Sequence, residues 1–310
     1  MKNKNTILII ATAIISGILI IVCSLLLTQN RTLAKENEQW QVQSHYNNVL
    51  ATPPLPEKVD FMGEAVPLDN YMIREALDRE LTTVCYQHSS TLLALKRSGR
   101  WFPIIEKILK EEGLPEDFKY LCIAESNMSN AISPAKAVGF WQFLQSTATL
   151  YGLEVNEEVD ERYHVEKATH AACRYLKDSK KKLGSWALAA AAYNCGEARV
   201  TKSLSAQSTD NYWDTYFNPE TARYVFRILA YKILFENPHI YGVKINNEDK
   251  YAPIDTEQIE VTSSIPDLYK FCQDHDITYK ELKLWNPWLR SSKLTVKSKT
   301  YSIKIIKKQK

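Results

Sequence analysis

The sequence predicts a mainly α-helical protein that ends in a small β-α-α-β module, and three observations predict it. Apolar residues recur at three- and four-residue spacing from Leu68 to about Glu236. Strong helix starts punctuate that stretch, the clearest being Asn218-Pro219-Glu220, with a capping residue, a proline at the first helical position and an acid in the first turn. After the polar residues 246–254 the pattern changes: β-like segments at 258–262 and 301–306 enclose two short helical patterns at 266–275 and 279–285.

Taken in order, the chain begins with Lys2 and Lys4 ahead of an uncharged apolar run from Ile7 to Leu27. A helix of that length spans roughly 30 Å, the thickness of a bilayer's hydrocarbon core. The lysines on its N-terminal side place residues 1–6 in the cytoplasm and export the chain beyond 7–27. The expected arrangement is therefore a single-pass membrane anchor with the remainder of the chain exported. Two alternatives stay open: cleavage near Thr32-Leu33-Ala34, which leaves a soluble exported protein, and lipidation at Cys23.

Residues 28–67 are polar and then rich in proline at Pro53, Pro54 and Pro56, and read as a tether. Helical patterns occupy 68–81, 88–96 and 101–112, the last with Pro103 in its first turn and Gly113 as its stop. Pro115, Glu116 and Asp117 open a helix through Phe118, Leu121 and Ala124. Periodicity breaks from Ser129 to Phe143, then resumes at 146–151, 165–182 and the alanine-rich 186–193. The domain boundaries expected are 68–245 for the helical part and 255–310 for the terminal module.

Composition narrows the function. Apolar residues at 45% and charged residues at 24% are ordinary for a folded protein. A formal charge of +3, from 39 basic and 36 acidic residues, is too balanced to suggest nucleic acid as a partner. Cys85, Cys122, Cys173, Cys195 and Cys272 show neither C-x-x-C nor a zinc-like spacing with histidine, so no metal or cofactor is expected.

The chemistry is expected between Glu125 and Phe143. Glu125 comes after the apolar Leu121-Cys122-Ile123-Ala124 and precedes a turn containing Phe140 and Trp141. Such surfaces strip water from a carboxylate and raise its pKa, which keeps a carboxylic acid protonated near neutral pH. A general acid for a glycosidic oxygen has to be protonated in this way.

The segment Glu125-Ser126, the run Ser133-Pro134-Ala135-Lys136-Ala137-Val138-Gly139-Phe140-Trp141-Gln142-Phe143, Ala191-Ala192-Tyr193-Asn194-Cys195-Gly196 and Glu220-Thr221-Ala222-Arg223-Tyr224-Val225 form four motifs in order. With Asp160-Glu161-Arg162 they closely resemble the lytic transglycosylases of the lysozyme superfamily, in the membrane-bound transglycosylase D type. The departures are Lys136 where that family usually has glycine, and Ala222 where arginine is frequent.

The resemblance implies a lysozyme-like domain, goose-type or transglycosylase, that cleaves the bond between N-acetylmuramic acid and N-acetylglucosamine in peptidoglycan glycan strands, and it places the anchor in the bacterial inner membrane with the catalytic part in the periplasm. Glu125 is the implied catalytic residue. Ser126, Ser133, Gln142, Tyr193, Asn194 and Glu220 are the implied substrate-binding or supporting residues, and Gly139 is expected to allow a close backbone approach. The terminal module resembles a LysM repeat through Leu282-Lys283-Leu284-Trp285-Asn286-Pro287, but lacks the usual Gly-Asp and has Ser263-Ser264 nearby. Two other readings stand beside this one: a lysozyme-type muramidase on the same fold, and a non-catalytic wall-binding scaffold.

Overall fold

The structure, a computed structural model, describes residues 17–34 and 51–307, and the chain divides into two compact units at Thr52/Pro53. In the first unit, helix α1 (Gly17–Ala34) is long and apolar enough to cross a membrane, with a mean hydropathy of 1.5. The expected cytoplasmic tail and the start of the expected anchor lie outside the described residues. The helix runs through residues 28–34, beyond the apolar run, with Thr32 bonding back to the Thr28 carbonyl at 2.9 Å.

The second unit opens with a short hairpin, β1 (Asp60–Phe61) and β2 (Glu64–Ala65). Its Phe61, Met62 and Val66 are buried in the main core, so the folded part starts before residue 68, inside the stretch expected to be tether. The proline-rich composition suggested a linker, but three apolar side chains among the polar ones suffice to dock the segment. Glu64 then receives the backbone N–H of Trp186, at 2.8 and 3.0 Å from its two carboxylate oxygens, a negative charge set at a helix start.

Helix α2 (Tyr71–Tyr86) begins at Asn70, whose side chain accepts from the Met72 N–H. Helix α3 (His88–Glu111) joins the two helices expected at 88–96 and 101–112. Pro103 removes only the donor to the Gly99 carbonyl, and the helix passes through it. Gly99 is needed for another reason: a Cβ there would come 2.7 Å from Lys250 Cβ and 2.9 Å from Tyr251 O. The linker to the terminal module crosses α3 at that point, with Tyr251 N–H donating to the Lys96 carbonyl at 2.8 Å.

Helices α4 (Phe118–Ser126), α5 (Gln145–Leu150), α6 (Val165–Leu183), α7 (Trp186–Cys195), α8 (Glu197–Gln207) and α9 (Pro219–Glu236) complete the domain. The alanines of α7 are fully buried, and their small side chains let α6, α8 and α9 approach closely. α9 is the central strut, packed on α2, α4 and α7. It buries Tyr224, Val225, Ile228 and Leu229, each worth about 1.5–3 kcal/mol when an aliphatic or aromatic group leaves water. Its start is capped as expected, with Asn218 Oδ1 accepting from both Glu220 and Thr221 N–H groups at 3.1 Å.

The terminal module has the expected order: β3 (Thr256–Val261), α10 (Leu268–Asp274), α11 (Tyr279–Trp285) and β4 (Tyr301–Ile306). The strands pair antiparallel in the register Thr256 to Ile306 through Val261 to Tyr301. Asn286 is fully buried and exchanges two hydrogen bonds with Lys304 of β4, at 2.7 and 2.8 Å, which fastens the end of α11 to the sheet.

Candidate active site

Glu125 sits in the last turn of α4, a helix whose Leu121, Cys122 and Ile123 are fully buried. The helix stops at Asn127, which takes a left-handed conformation, φ 54°, so the chain turns sharply just after the acid. Glu125 itself is half-buried and lines a cavity of about 430 Å³ with Ser126, Asn127, Ala131, Arg227 and Tyr231. Burial pushes its carboxyl up to about 7, from 4.5. A hydrogen bond from Tyr224 and the charge of Arg227 pull the other way, and the charge of Glu220 adds to the rise.

Tyr224 is a partner that the motifs alone did not single out. Its hydroxyl donates to Glu125 Oε1, and burial, then the Glu125 charge, holds the phenol far above its ordinary range. Arg227, one turn further along α9, was missed as well. Both stand at or next to the motif Glu220 to Val225, so the signal was present in the Tyr of that motif.

The segment 129–143 folds into a compact loop held by its own hydrogen bonds. Ser126 Oγ donates to the Phe140 carbonyl at 2.7 Å and ties the acid-bearing helix end to the loop. Ser133 Oγ accepts from the Ala137 N–H at 3.0 Å. Gln142 Nε2 donates to the carbonyls of Ala131 and Gly139, at 3.0 and 2.8 Å, with its own backbone at φ 48°. Lys136 has φ 62°, a conformation costing an L-residue roughly 1–2 kcal/mol, which accounts for glycine being usual there. Gly139, at φ 82°, abuts the carbonyl oxygen of Arg162, leaving no space for a Cβ.

Tyr193 and Asn194 close the other side. Tyr193 donates to the Trp141 carbonyl at 2.7 Å and packs edge-on against Phe143 and Tyr175. Its phenol is pushed far up by burial and by the Glu125 charge. Asn194 accepts from Thr221 Oγ1 at 2.9 Å and donates to Glu220 at 3.4 Å, joining α7 to the start of α9. Gln142, Tyr193, Asn194 and the exposed Glu220 line a second cavity of about 660 Å³. Of the residues expected at the site, Ser126 thus shares the first cavity with Glu125, Gln142, Tyr193, Asn194 and Glu220 share the second, and Ser133 lines neither of the two. Ser126, Ser133 and Tyr193 spend their hydroxyls on the scaffold, and Gln142 spends its amide N–H groups there too.

Arg227 also joins Glu125 to a second cluster of charges. Glu80 of α2 is fully buried and receives Arg223 at 2.6 Å, Arg79 at 3.2 Å and Arg227 at 3.5 Å. Among the described residues no cluster of three or more His, Cys, Asp or Glu side chains could hold a metal ion. Cys195 beside Asn194 is half-buried and its thiol is raised by burial, which works against ready ionisation.

A half-buried acid beside a loop that borders two cavities, on a mainly helical domain, is the site to be compared with known proteins. Residues 102–216 match the Transglycosylase SLT domain, and residues 257–309 match the Soluble lytic transglycosylase C-terminal LysM-like domain. The chain thus carries a transglycosylase SLT domain followed by a C-terminal LysM-like domain. It is 30% identical over 251 residues to "Membrane-bound lytic murein transglycosylase D" of Escherichia coli (strain K12), covering 78% of this chain and 54% of that protein. A putative tributyltin chloride resistance protein of Alteromonas sp. (strain M-1) is 29% identical over 120 residues, 37% of this chain and 58% of that one. The chain thus spans about half the length of the curated relatives it matches. Among solved structures, an inactive mutant of lytic transglycosylase Slt from Pseudomonas aeruginosa aligns with a TM-score of 0.35 at 20% identity, covering 49% of this chain and 26% of that one.

Proposed function

We propose that this chain is a peptidoglycan lytic transglycosylase with Glu125 as its acid/base catalyst. The observation that carries the reading is a carboxyl raised to about 7 by burial, in a cavity, with a tyrosine hydroxyl holding one oxygen. Protonated Glu125 gives its proton to the oxygen between N-acetylmuramic acid and N-acetylglucosamine, and the C1–O bond breaks. The resulting carboxylate then takes the proton of the muramyl C6 hydroxyl, whose oxygen closes a 1,6-anhydro ring on C1. The acid ends as it began, and no water is consumed. One positioned proton donor accounts for about 10²–10⁴ in rate.

Gln142, Asn194 and Glu220 border the sugar-binding groove in this reading, while Ser126, Ser133 and Tyr193 keep the loop in register with the acid. The name of the Escherichia coli relative and the apolar helix α1 support a membrane-anchored enzyme acting on the wall in the periplasm, in remodelling or turnover. The test is mass spectrometry of fragments released from purified peptidoglycan by the full-length chain in detergent. Anhydro-muramyl ends are the expected products. Reducing ends would make the chain a hydrolase, and binding without release would make it a scaffold.

A further inference from the structure

The terminal module does not hang free from the catalytic domain. Val138, Val159 and Tyr163 of the helical domain are buried in the module's own core, beside Leu268, Leu282 and Leu289. Val138 belongs to the groove loop itself: it exchanges backbone hydrogen bonds with Phe143 and precedes Gly139. The module's core therefore packs against the same short loop that carries Gln142.

Backbone pairing continues the seam. Val159 and Leu289 form an antiparallel bridge, the Asp160 N–H donates to the Trp288 carbonyl at 2.9 Å, and the Arg290 N–H donates to the Glu158 carbonyl at 2.8 Å. Charges then bracket it on both sides of the bridge. Lys299 pairs with Glu154 and, at 3.1 Å, with the nearly buried Glu161; Lys304 pairs with Glu166; and Lys293 lies 3.1 Å from Glu158. The Arg290 guanidinium lies 4.3 Å over the ring of Tyr163.

Between the bracketed segment and the groove loop stands Arg162, 8% exposed. It grips Asp160 through Nε and Nη2 at 2.9 and 2.7 Å, and its Nη1 donates to the Phe143 and Lys136 carbonyls at 3.2 and 3.3 Å. Its own carbonyl is the atom against which Gly139 packs. The hydrogen bonds thus run without a gap from β4 and the loop before it, through residues 154–166, to the loop 133–143.

We propose that the LysM-like module positions the groove loop 133–143 for turnover, with Arg162 as the positioning residue that transmits its grip. The proposal rests on the transglycosylase reading for its catalytic readout. It assigns the module an intramolecular task, in place of a free wall-binding one, because the segment joining α11 to β4 is engaged by residues 154–161. A groove displaced by about 1 Å can cost up to about 10² in rate, so the effect belongs in kcat.

The test uses the full-length chain in detergent, with the charge-reversed double variant Lys299→Glu/Lys304→Glu, and Arg162→Ala beside Arg162→Lys. Tyr269→Ala, on the exposed face of α10, serves as control. Thermal melts establish that each variant is folded. Steady-state rates on soluble, uncrosslinked glycan strands give kcat and KM, sacculus pull-down gives wall binding, and hydrogen exchange reports on the amides of 133–143. The double variant and Arg162→Ala are expected to lower kcat about ten-fold, with KM and pull-down close to wild type. Exchange in the groove loop should rise several-fold while α9 stays protected, and Arg162→Lys should recover part of both effects. Tyr269→Ala should change neither. A folded double variant with unchanged kcat and unchanged loop exchange overturns the proposal. So does a loss of pull-down with kcat intact, which would make the module a wall anchor. An inactive wild type whose loop exchange still responds to the module variants would refute the transglycosylase reading and, with it, the catalytic purpose proposed here, while leaving the mechanical coupling established.

Discussion

The hydroxyl of Tyr224 on α9 donates to Oε1 of Glu125 on α4, so the central strut of the domain holds the acid directly. That bond favours the ionised carboxylate and opposes the rise that burial imposes. Tyr224→Phe is therefore expected to raise the Glu125 pKa further and to loosen its orientation. The pH profile of kcat/KM should lose activity at higher pH than wild type, with kcat about ten-fold lower. A profile recorded from about pH 5 to 9 checks both.

Two neighbouring charges act on Glu125 with opposite signs, and their removal should move the profile in opposite directions. Arg227 favours the carboxylate, so Arg227→Gln should shift the loss of activity to higher pH. Glu220 disfavours it, so Glu220→Gln should shift the loss to lower pH. Equal shifts of one sign would contradict the arrangement of charges described.

Gly139→Ala should be among the most damaging single-methyl additions in the molecule. The position combines φ 82° with direct contact against the Arg162 carbonyl. We expect a loss of at least ~2 kcal/mol of stability, or a displaced groove loop with little activity, since αL strain and overpacking each cost about 1–3 kcal/mol. Denaturant unfolding beside activity separates the two. At Lys136, by contrast, substitution by glycine relieves a left-handed backbone and should leave stability unchanged or slightly higher.

Much of this was legible in the sequence. The cap at Asn218, the alanine-rich α7 and the β-α-α-β order of the module were read correctly, because local chemistry decides them. The acid and its supporting residues came from motifs, which carry positions that periodicity cannot. Helix α8 went unread because it buries only Val200 and offers no apolar stripe. The break expected inside α3 did not occur, since Gly99 serves the crossing linker and ends nothing. Tyr224 stands in the motif Glu220 to Val225, but its role was not read, because a tyrosine within an apolar helix looks like core until its neighbour across the domain is known. The seam between Val138, Val159 and the module joins residues far apart in the chain, and no local pattern announces it.

Burial of Glu125 also predicts how stability varies with pH. Its folded pKa lies above the unfolded value, so the stability it lends is complete below about pH 4.5 and is lost as pH rises through about 7. Glu125→Gln keeps an acceptor for Tyr224 and cannot ionise. It should match wild type near about pH 4 and exceed it at about pH 8 by 1–3 kcal/mol, as thermal melts at the two pH values would show.

The most direct test of the central claim is the pH dependence of fragment release from purified peptidoglycan, wild type beside Glu125→Gln. A protonated Glu125 acting as general acid predicts wild-type kcat/KM that is sustained at about pH 6 and falls through about pH 7. The folded Gln variant should release nothing at any pH. Release by the Gln variant, or a wild-type rate that climbs through about pH 7, would contradict the assignment of Glu125 as the acid.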